Sequence, residues 1–535
     1  MGGAARRKAA RRPHGRKRLL LLTPPLLQPN TPYPATMHLA GFLRLRGCDV
    51  VQRDLSIKVV RDVLLEYGDE TTDELLEFLG GPAPLEAKRG ASEAIEALAL
   101  GIRDEVDPDF GFSRYAERLC RAVSDFGELE RRVRRRGVID GPLERHLAAA
   151  VEESDPDVVG VACPFPGTLV GAFRIARTVR RLLPEATLVL GGGYVNTELR
   201  TMDDPRVRRF FDVMMYDEGY APWSKLLGLP EAEVPPFVAP SYDGLDLSQY
   251  IDLAETANPM QRLWSNGRWL KLQLARGCYW RRCAFCDVTL DYIKCFATPS
   301  AAEVVDAMQQ LAGETGETGF HFTDEAIPPA LARGVSEEIL RRRFKCLWWG
   351  NVRFDTSYTP ALARLMAKAG CVAVTGGLEC ANDRLLRLMN KGITLESAKG
   401  VIANFAGAGI LVHAYLMYGF PTQTEAEAVS ALRYVRDRFR EGTIRSAFFH
   451  RFALTVHSPI AREPEKFGIE LADAGKDVCR HGRTFARNEI PYVEKGAPDW
   501  DRIGKGLKLA LYNYMLGLGL DKPPGFWLKA ADRRN

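Results

Sequence analysis

Three cysteines crowd into nine residues: Cys278, Cys283 and Cys286 lie in Arg276-Gly277-Cys278-Tyr279-Trp280-Arg281-Arg282-Cys283-Ala284-Phe285-Cys286. Three thiolates on one loop can converge on a soft metal centre, either zinc or an iron–sulfur cluster. Structural zinc ordinarily takes four ligands, often as two pairs. No second pair follows here, and the nearest further thiol, Cys295, lies nine positions on. A [4Fe–4S] cluster held by three cysteines leaves one iron open for another ligand. The spacing therefore favours a cluster over zinc.

Other polar and glycine-rich groups recur where strands are predicted to end. Gly319-Phe320-His321-Phe322-Thr323-Asp324-Glu325 closes one apolar run, and Asn351 and Arg353 close the next. Gly376-Gly377-Leu378-Glu379 closes a third, followed by Asn382-Asp383-Arg384 and Met389-Asn390-Lys391-Gly392. Tyr418-Gly419-Phe420-Pro421-Thr422-Gln423-Thr424-Glu425 closes a fourth. Taken singly, each glycine suits a tight turn and each acid a helix cap. Their order on consecutive strands points instead to one shared site.

With these motifs in place, the chain from about 269 to 471 resembles the radical SAM enzymes. The family's usual C-x3-C-x2-C is here C-x4-C-x2-C, one residue longer, while Phe285 before the last cysteine matches. The resemblance implies that Cys278, Cys283 and Cys286 hold a [4Fe–4S] cluster. It further implies that Phe285, Thr323, Asp324, Glu325, Asn351, Arg353, Gly377, Glu379, Gly419 and Phe420 surround S-adenosylmethionine. In the family the open iron binds the amino and carboxylate groups of that molecule. An electron from the cluster then splits the S–C5′ bond to give methionine and a 5′-deoxyadenosyl radical. A flavodoxin- or ferredoxin-type electron donor is implied as partner. His321, His413, His450 and His457 fall on predicted strands or their ends and read as packed or hydrogen-bonded. No catalytic acid or base is assigned.

The N-terminal third resembles the cobalamin-binding domain that precedes many radical SAM enzymes. Matching pieces are Leu22-Thr23-Pro24-Pro25, residues 157–160, Gly191-Gly192-Gly193, and residues 212–219 with Glu218. The resemblance implies cobalamin contacts at Thr23, Pro24, Gly191, Gly192, Gly193 and Glu218. The D-x-H-x-x-G signature of other cobalamin proteins is absent; the nearby His38 falls inside the first predicted helix, and Ala162-Cys163 stands where many members carry serine. The implied activity is cobalamin-dependent methyl transfer to an unactivated carbon. Rearrangement, cyclisation or epimerisation without methyl transfer is the alternative, and a non-enzymatic zinc- or cluster-binding module is the remote one.

The elements that must hold these groups read as two α/β units. Strands are predicted at 17–22, 49–55, 158–162, 187–190 and 211–216, with helices at 35–45, 169–183 and 222–227. Apolar strands alternating with amphipathic helices imply a doubly wound parallel sheet. Residues 56–153 read as a helical insert without strands, whose Arg131–Arg136 run suits a solvated helix face. Further strands at 270–275, 319–323, 347–352, 372–376, 411–418 and 446–454 alternate with helices, which fits a partial (β/α)6 barrel with its working groups at the C-terminal strand ends. Ser300 with Glu303, and Thr359-Pro360, mark helix starts. The expected domains are a basic tail (1–18), a cobalamin-binding-like domain (19–228), a linker (229–268), the barrel (269–467) and a loop-rich cap ending in a helix near 500–518 (468–535).

At 535 residues, with 46% hydrophobic and 26% charged side chains, the composition is that of a globular protein and excludes collagen-like, disulfide-dense and wholly disordered chains. Eight basic residues and no acid in the first eighteen turn the net charge of +5 into −3 for the remainder. The tail reads as a solvated arm, and the apolar run 19–22 is too short for a secretory signal. Eleven unevenly placed cysteines suit a reducing cytoplasm better than a disulfide framework. No run approaches the ~20 apolar residues of a membrane span. No RNA-binding extension stands out, so a nucleic-acid partner is disfavoured.

Overall fold

The computed structural model describes residues 17–532 except 118–125, 201, 203, 231–234, 255–259, 261–262, 264–268, 473–484 and 486–488. The basic tail lies outside the described residues, apart from Lys17 and Arg18.

The chain enters through β1 (Arg18–Thr23), whose four leucines are all buried. Because successive side chains point to opposite faces, Leu20 and Leu22 pack toward helix Leu169–Leu182, while Leu19 and Leu21 pack toward helix Pro34–Leu45. A strand apolar on both faces belongs inside a covered parallel sheet. β2 (Asp49–Asp54) pairs with β1 in parallel register, Leu20 opposite Val51. The insert that follows is helical but also carries a two-residue hairpin, β3 (Phe110–Gly111) and β4 (Arg114–Tyr115), where no strand was expected from the sequence. Side-chain bonds hold this hairpin: the Tyr115 hydroxyl donates to Asp107 at 2.7 Å, and Arg132, further along the chain, donates to Asp107 at 3.3 Å and to Asp109. Arg132, one of the arginine run, is therefore a buried structural residue, whereas Arg134 and Arg136 are exposed.

β5 (Val158–Ala162), β6 (Thr187–Gly191) and β7 (Val213–Met214) complete the first sheet in the order β2-β1-β5-β6-β7. The order reverses between β1 and β5. Open α/β sheets bind ligands in the crevice beyond the strand C-termini at such a switch point.

The second sheet takes its strands in chain order: β8 (Leu270–Leu272), β9 (Gly319–Phe322), β10 (Leu347–Val352), β11 (Cys371–Glu379), β12 (Leu411–Tyr418) and β13 (Ser446–Arg451). All pairings are parallel. The helices between them start on the expected signals: Ser300 and Glu303 form a reciprocal capping box, and Thr359 caps the helix at Pro360. Helix Trp500–Met515 is no detached cap. Its Trp500, Ile503, Leu507 and Leu511 join the same core as Leu416 on β12 and Phe449 on β13, so it covers the last strand as a barrel helix.

The connection between the sheets is firmly seated where described. Gln52 donates to the carbonyls of Ser241 and Asp243 at 2.7 and 2.8 Å, and buried Lys88 pairs with Asp252 at 3.0 Å. No helix among the described residues is long and apolar enough to cross a membrane.

Candidate active site

The cysteine loop is pinned by the run Met389–Gly392. Ala284 N–H donates to the Met389 carbonyl at 2.8 Å, and Trp280 Nε1 donates to the Asn390 carbonyl at 2.8 Å. Gly392 has φ +74°, and a Cβ there would run into the Trp280 ring. Within the longer first cysteine spacing Arg281 makes a left-handed turn (φ +51°), and its guanidinium donates to the Lys294 carbonyl at 3.0 Å.

Cys278, Cys283 and Cys286 line a cavity of about 240 Å³ together with Phe285, Glu325, Asn351, Arg353, Gly377, Glu379 and Lys391. None of the three is in a disulfide. No set of three or more His, Cys, Asp or Glu among the described residues is placed to hold a single metal ion. The cysteines border a shared space, which suits ligands to separate irons of one cluster. A bond with the Cys286 thiol and the positive charges of Lys391 and Arg353 pull the Cys283 thiol down to about 6. Such surroundings favour thiolate.

A bulge between Gly377 and Glu379 reorients the end of β11, and Glu379 sits at φ +50°. Bulges next to active sites commonly re-aim a side chain. Here Lys391 Nζ meets Glu379 Oε1 at 2.6 Å, with each side chain only 10% exposed. Arg353 donates to the Lys391 carbonyl, and its guanidinium lies 4.5 Å from the Trp280 ring centre. Asn351 donates to the Asp324 carbonyl at 2.9 Å and accepts from Thr375.

Three expected cofactor neighbours stand elsewhere. Asp324 is fully buried and lines neither this cavity nor the larger one; its carboxyl accepts from Leu274 N–H at 3.0 Å and Ala275 N–H at 2.6 Å, anchoring the strand end before the cysteine loop. Burial pushes that carboxyl up to about 7. Gly419 and Phe420 also line neither cavity. Gly419 N–H donates to Gln423, and Phe420 packs behind the cysteine loop with Ala284, Phe452 and Phe467.

A cavity of about 680 Å³ opens where the C-terminal ends of the two sheets face each other. The first sheet contributes Tyr33, Phe165, Gly191, Gly192, Gly193 and Glu218; the barrel contributes Lys271, Gln273, Tyr292, Thr323 and Glu325. Gly192, at φ +110°, lies so close to Cys163 that a Cβ would stand 2.6 Å from its carbonyl oxygen. Thr23 and Pro24 are buried at the switch point but do not reach this cavity. Glu218 pairs with Arg276, two residues before Cys278, so the wall of one cavity is tied to the loop of the other. Glu325 lines both cavities, and desolvation by the cavity walls together with the Asp287 charge raises its carboxyl.

The histidines are mostly packed. His413 shares a hydrogen bond with Ser446, and His321 stacks on Trp349 at 3.6 Å; burial lowers both. His450 and His457 are also lowered by burial. Sequence reasoning missed Tyr33, Phe165, Lys271, Gln273, Tyr292 and Lys391 as site residues. Only Lys391 carried a signal, its place in the Met389–Gly392 run.

Comparison with known proteins gives the class. Residues 272–435 match the radical SAM superfamily, so this part of the chain is a radical SAM domain. An uncharacterised methyltransferase of Pyrococcus horikoshii is 23% identical over 328 residues, covering 56% of this chain and 69% of its own. In fold the chain is similar to the radical SAM methyltransferase TsrM of Kitasatospora setae, solved with cobalamin and a [4Fe–4S] cluster (TM-score 0.56, 18% identity, 94% of this chain and 89% of that one). It is also similar to the cobalamin-dependent radical SAM enzyme OxsB, solved with aqua-cobalamin and S-adenosylmethionine (TM-score 0.54, 13% identity, 92% and 66%).

Proposed function

We propose that this protein is a cobalamin-dependent radical SAM methyltransferase acting on an unactivated carbon. The observation that carries the reading is the junction at Glu325. A roomy cavity between two sets of strand ends meets, at the Glu325 carboxyl, a smaller cavity bordered by three free cysteines. When bound, the cluster supplies one-electron cleavage of S-adenosylmethionine and the corrin supplies methyl carriage.

The residues fit these groups. Cys278, Cys283 and Cys286 would hold the cluster, with Lys391 and Arg353 offsetting the negative charge of their thiolates. Glu325, which lines the cavity, rather than Asp324, which is bonded behind it, would meet the ammonium of S-adenosylmethionine. Asn351 and Arg353 offer amide and guanidinium donors in the same cavity, suited to a carboxylate or a nucleoside. The Gly191–Gly193 turn brings backbone to the wall of the larger cavity, where a bulky planar cofactor needs close approach. Trp280, with Arg353 over its ring and its indole N–H donating to Asn390, would help hold the loop in place. A flavodoxin- or ferredoxin-type protein is the proposed reductant.

The test is cofactor binding, measured anaerobically. Reconstituted protein should retain cobalamin through gel filtration, and adding S-adenosylmethionine should shift the electron paramagnetic resonance spectrum of the reduced cluster. Loss of cobalamin on the column, or a spectrum unchanged by S-adenosylmethionine, would contradict the assignment.

A further inference from the structure

Lys271 is the centre of β8 and faces into the barrel, in register with His321 on β9, which is in turn in register with Trp349 on β10. It borders two spaces at once. One is the cavity of about 680 Å³; the other, of about 330 Å³, is walled by Asn30, Thr31, Tyr33, Ser113 and Arg114. Among the described residues the Lys271 ammonium has no ion pair and no hydrogen bond, and burial alone lowers it to about 8. Its neighbour His321 cannot serve as counter-charge: burial and the Lys271 charge hold it neutral, and its Nδ1 is itself buried without a partner.

A half-buried cation on a cavity wall without a counter-charge is costly unless something else completes it. An ammonium left without a partner on the wall of two cavities indicates that the ligand brings the missing one. Lys271 does not line the cysteine-bordered cavity, so the carboxylate of S-adenosylmethionine is not that partner. One ammonium matches one negative charge, which a carboxylate carries and a phosphate at neutral pH exceeds.

We propose that Lys271 anchors a carboxylate of the methyl-accepting substrate, which spans the two cavities and turns its reacting carbon toward Thr323 and Glu325. The assignment rests on the methyltransferase reading only for the identity of the occupant; the anion site itself stands on the cavity geometry.

The experiment is competitive acetylation of the cluster- and cobalamin-loaded enzyme with acetic anhydride at pH 8, with lysine modification read by peptide mass spectrometry. Benzoate should slow Lys271 acetylation at least fivefold and leave exposed Lys495 unchanged. Neutral benzamide should protect neither. By calorimetry, Lys271→Met should bind benzoate at least tenfold more weakly while keeping its cluster and cobalamin absorbance. Protection by phenyl phosphate without protection by benzoate would overturn the carboxylate assignment. Absence of protection by either anion, or equal benzoate affinity in Lys271→Met, would overturn the site. Labelling requires no turnover, so an inactive but benzoate-protected enzyme would support the site and count against the methyltransferase reading instead.

Discussion

Gly192→Ala puts the proposed corrin site under the sharpest geometric test. Gly192 has φ +110°, a region that L side chains rarely adopt, and its Cβ would meet Cys163 O at 2.6 Å and Cys163 C and N at 2.8 Å. Ordinary contact begins at 3.4 Å, so the two backbones must part by 0.8 Å, the difference between 3.4 and 2.6. Both neighbours are bonded here: Cys163 N–H donates to Gly191 O at 2.7 Å and Tyr194 N–H to Cys163 O at 3.2 Å. A strained backbone costs about 1–3 kcal/mol, and each lost backbone bond about 1 kcal/mol. If cobalamin requires the native turn, a reorganisation of about 3 kcal/mol weakens its binding somewhat more than a hundredfold. The assay is cobalamin titration followed by absorbance, with iron content checked on the same sample. Gly313→Ala is the control, since a Cβ there meets nothing within 4 Å. The expected result is lost cobalamin with a full cluster. Unchanged cobalamin affinity in Gly192→Ala would refute the placement of the corrin against this turn.

Three other outcomes follow from the site. Replacing Cys278, Cys283 and Cys286 together by Ala should abolish the visible absorbance of the cluster, whereas Cys295→Ala, at an exposed position, should leave it intact; the reverse pattern would mean the ligands are misassigned. Lys391→Met leaves Glu379 as a buried acid without its cation and should cost about 3–5 kcal/mol in denaturant unfolding, with most of that recovered in Lys391→Met/Glu379→Gln; equal losses in both variants would show that the pair is not coupled. Asp324, raised from 3.8 to about 7, holds a proton in the folded state that the unfolded chain has already released between pH 4 and 7. Stability must then fall as pH rises through that window, and the stability difference between wild type and Asp324→Asn should shrink accordingly; a flat difference curve would contradict the burial effect.

Much of this arrangement was legible in the sequence because it is local. The predicted strands at 158–162, 347–352 and 411–418 coincide with β5, β10 and β12, since an apolar run bounded by turn residues marks its own ends. The cysteine loop and the Gly191–Gly193 turn were legible for the same reason. What escaped depends on partners distant in the chain. Lys271 is one lysine in an apolar strand, and only the facing domain shows that it borders two cavities. Asp324 and Glu325 are adjacent acids, yet alternation at the end of β9 buries one against Leu274 and Ala275 and turns the other to the site. The hairpin β3–β4 is too short to leave a period, and its hold on Asp107 and Arg132 is tertiary. Helix Trp500–Met515 carried a helical pattern but no sign that it would cover β13.

Product analysis distinguishes a cobalamin-dependent methyltransferase from the alternatives. Cluster-loaded protein is incubated anaerobically with S-adenosylmethionine and a strong reductant, with and without cobalamin, and 5′-deoxyadenosine and S-adenosylhomocysteine are quantified by chromatography. 5′-Deoxyadenosine should form, and should disappear in the triple cysteine variant, and S-adenosylhomocysteine should appear only when cobalamin is present. Neither product from protein with an intact cluster would contradict the methyltransferase reading.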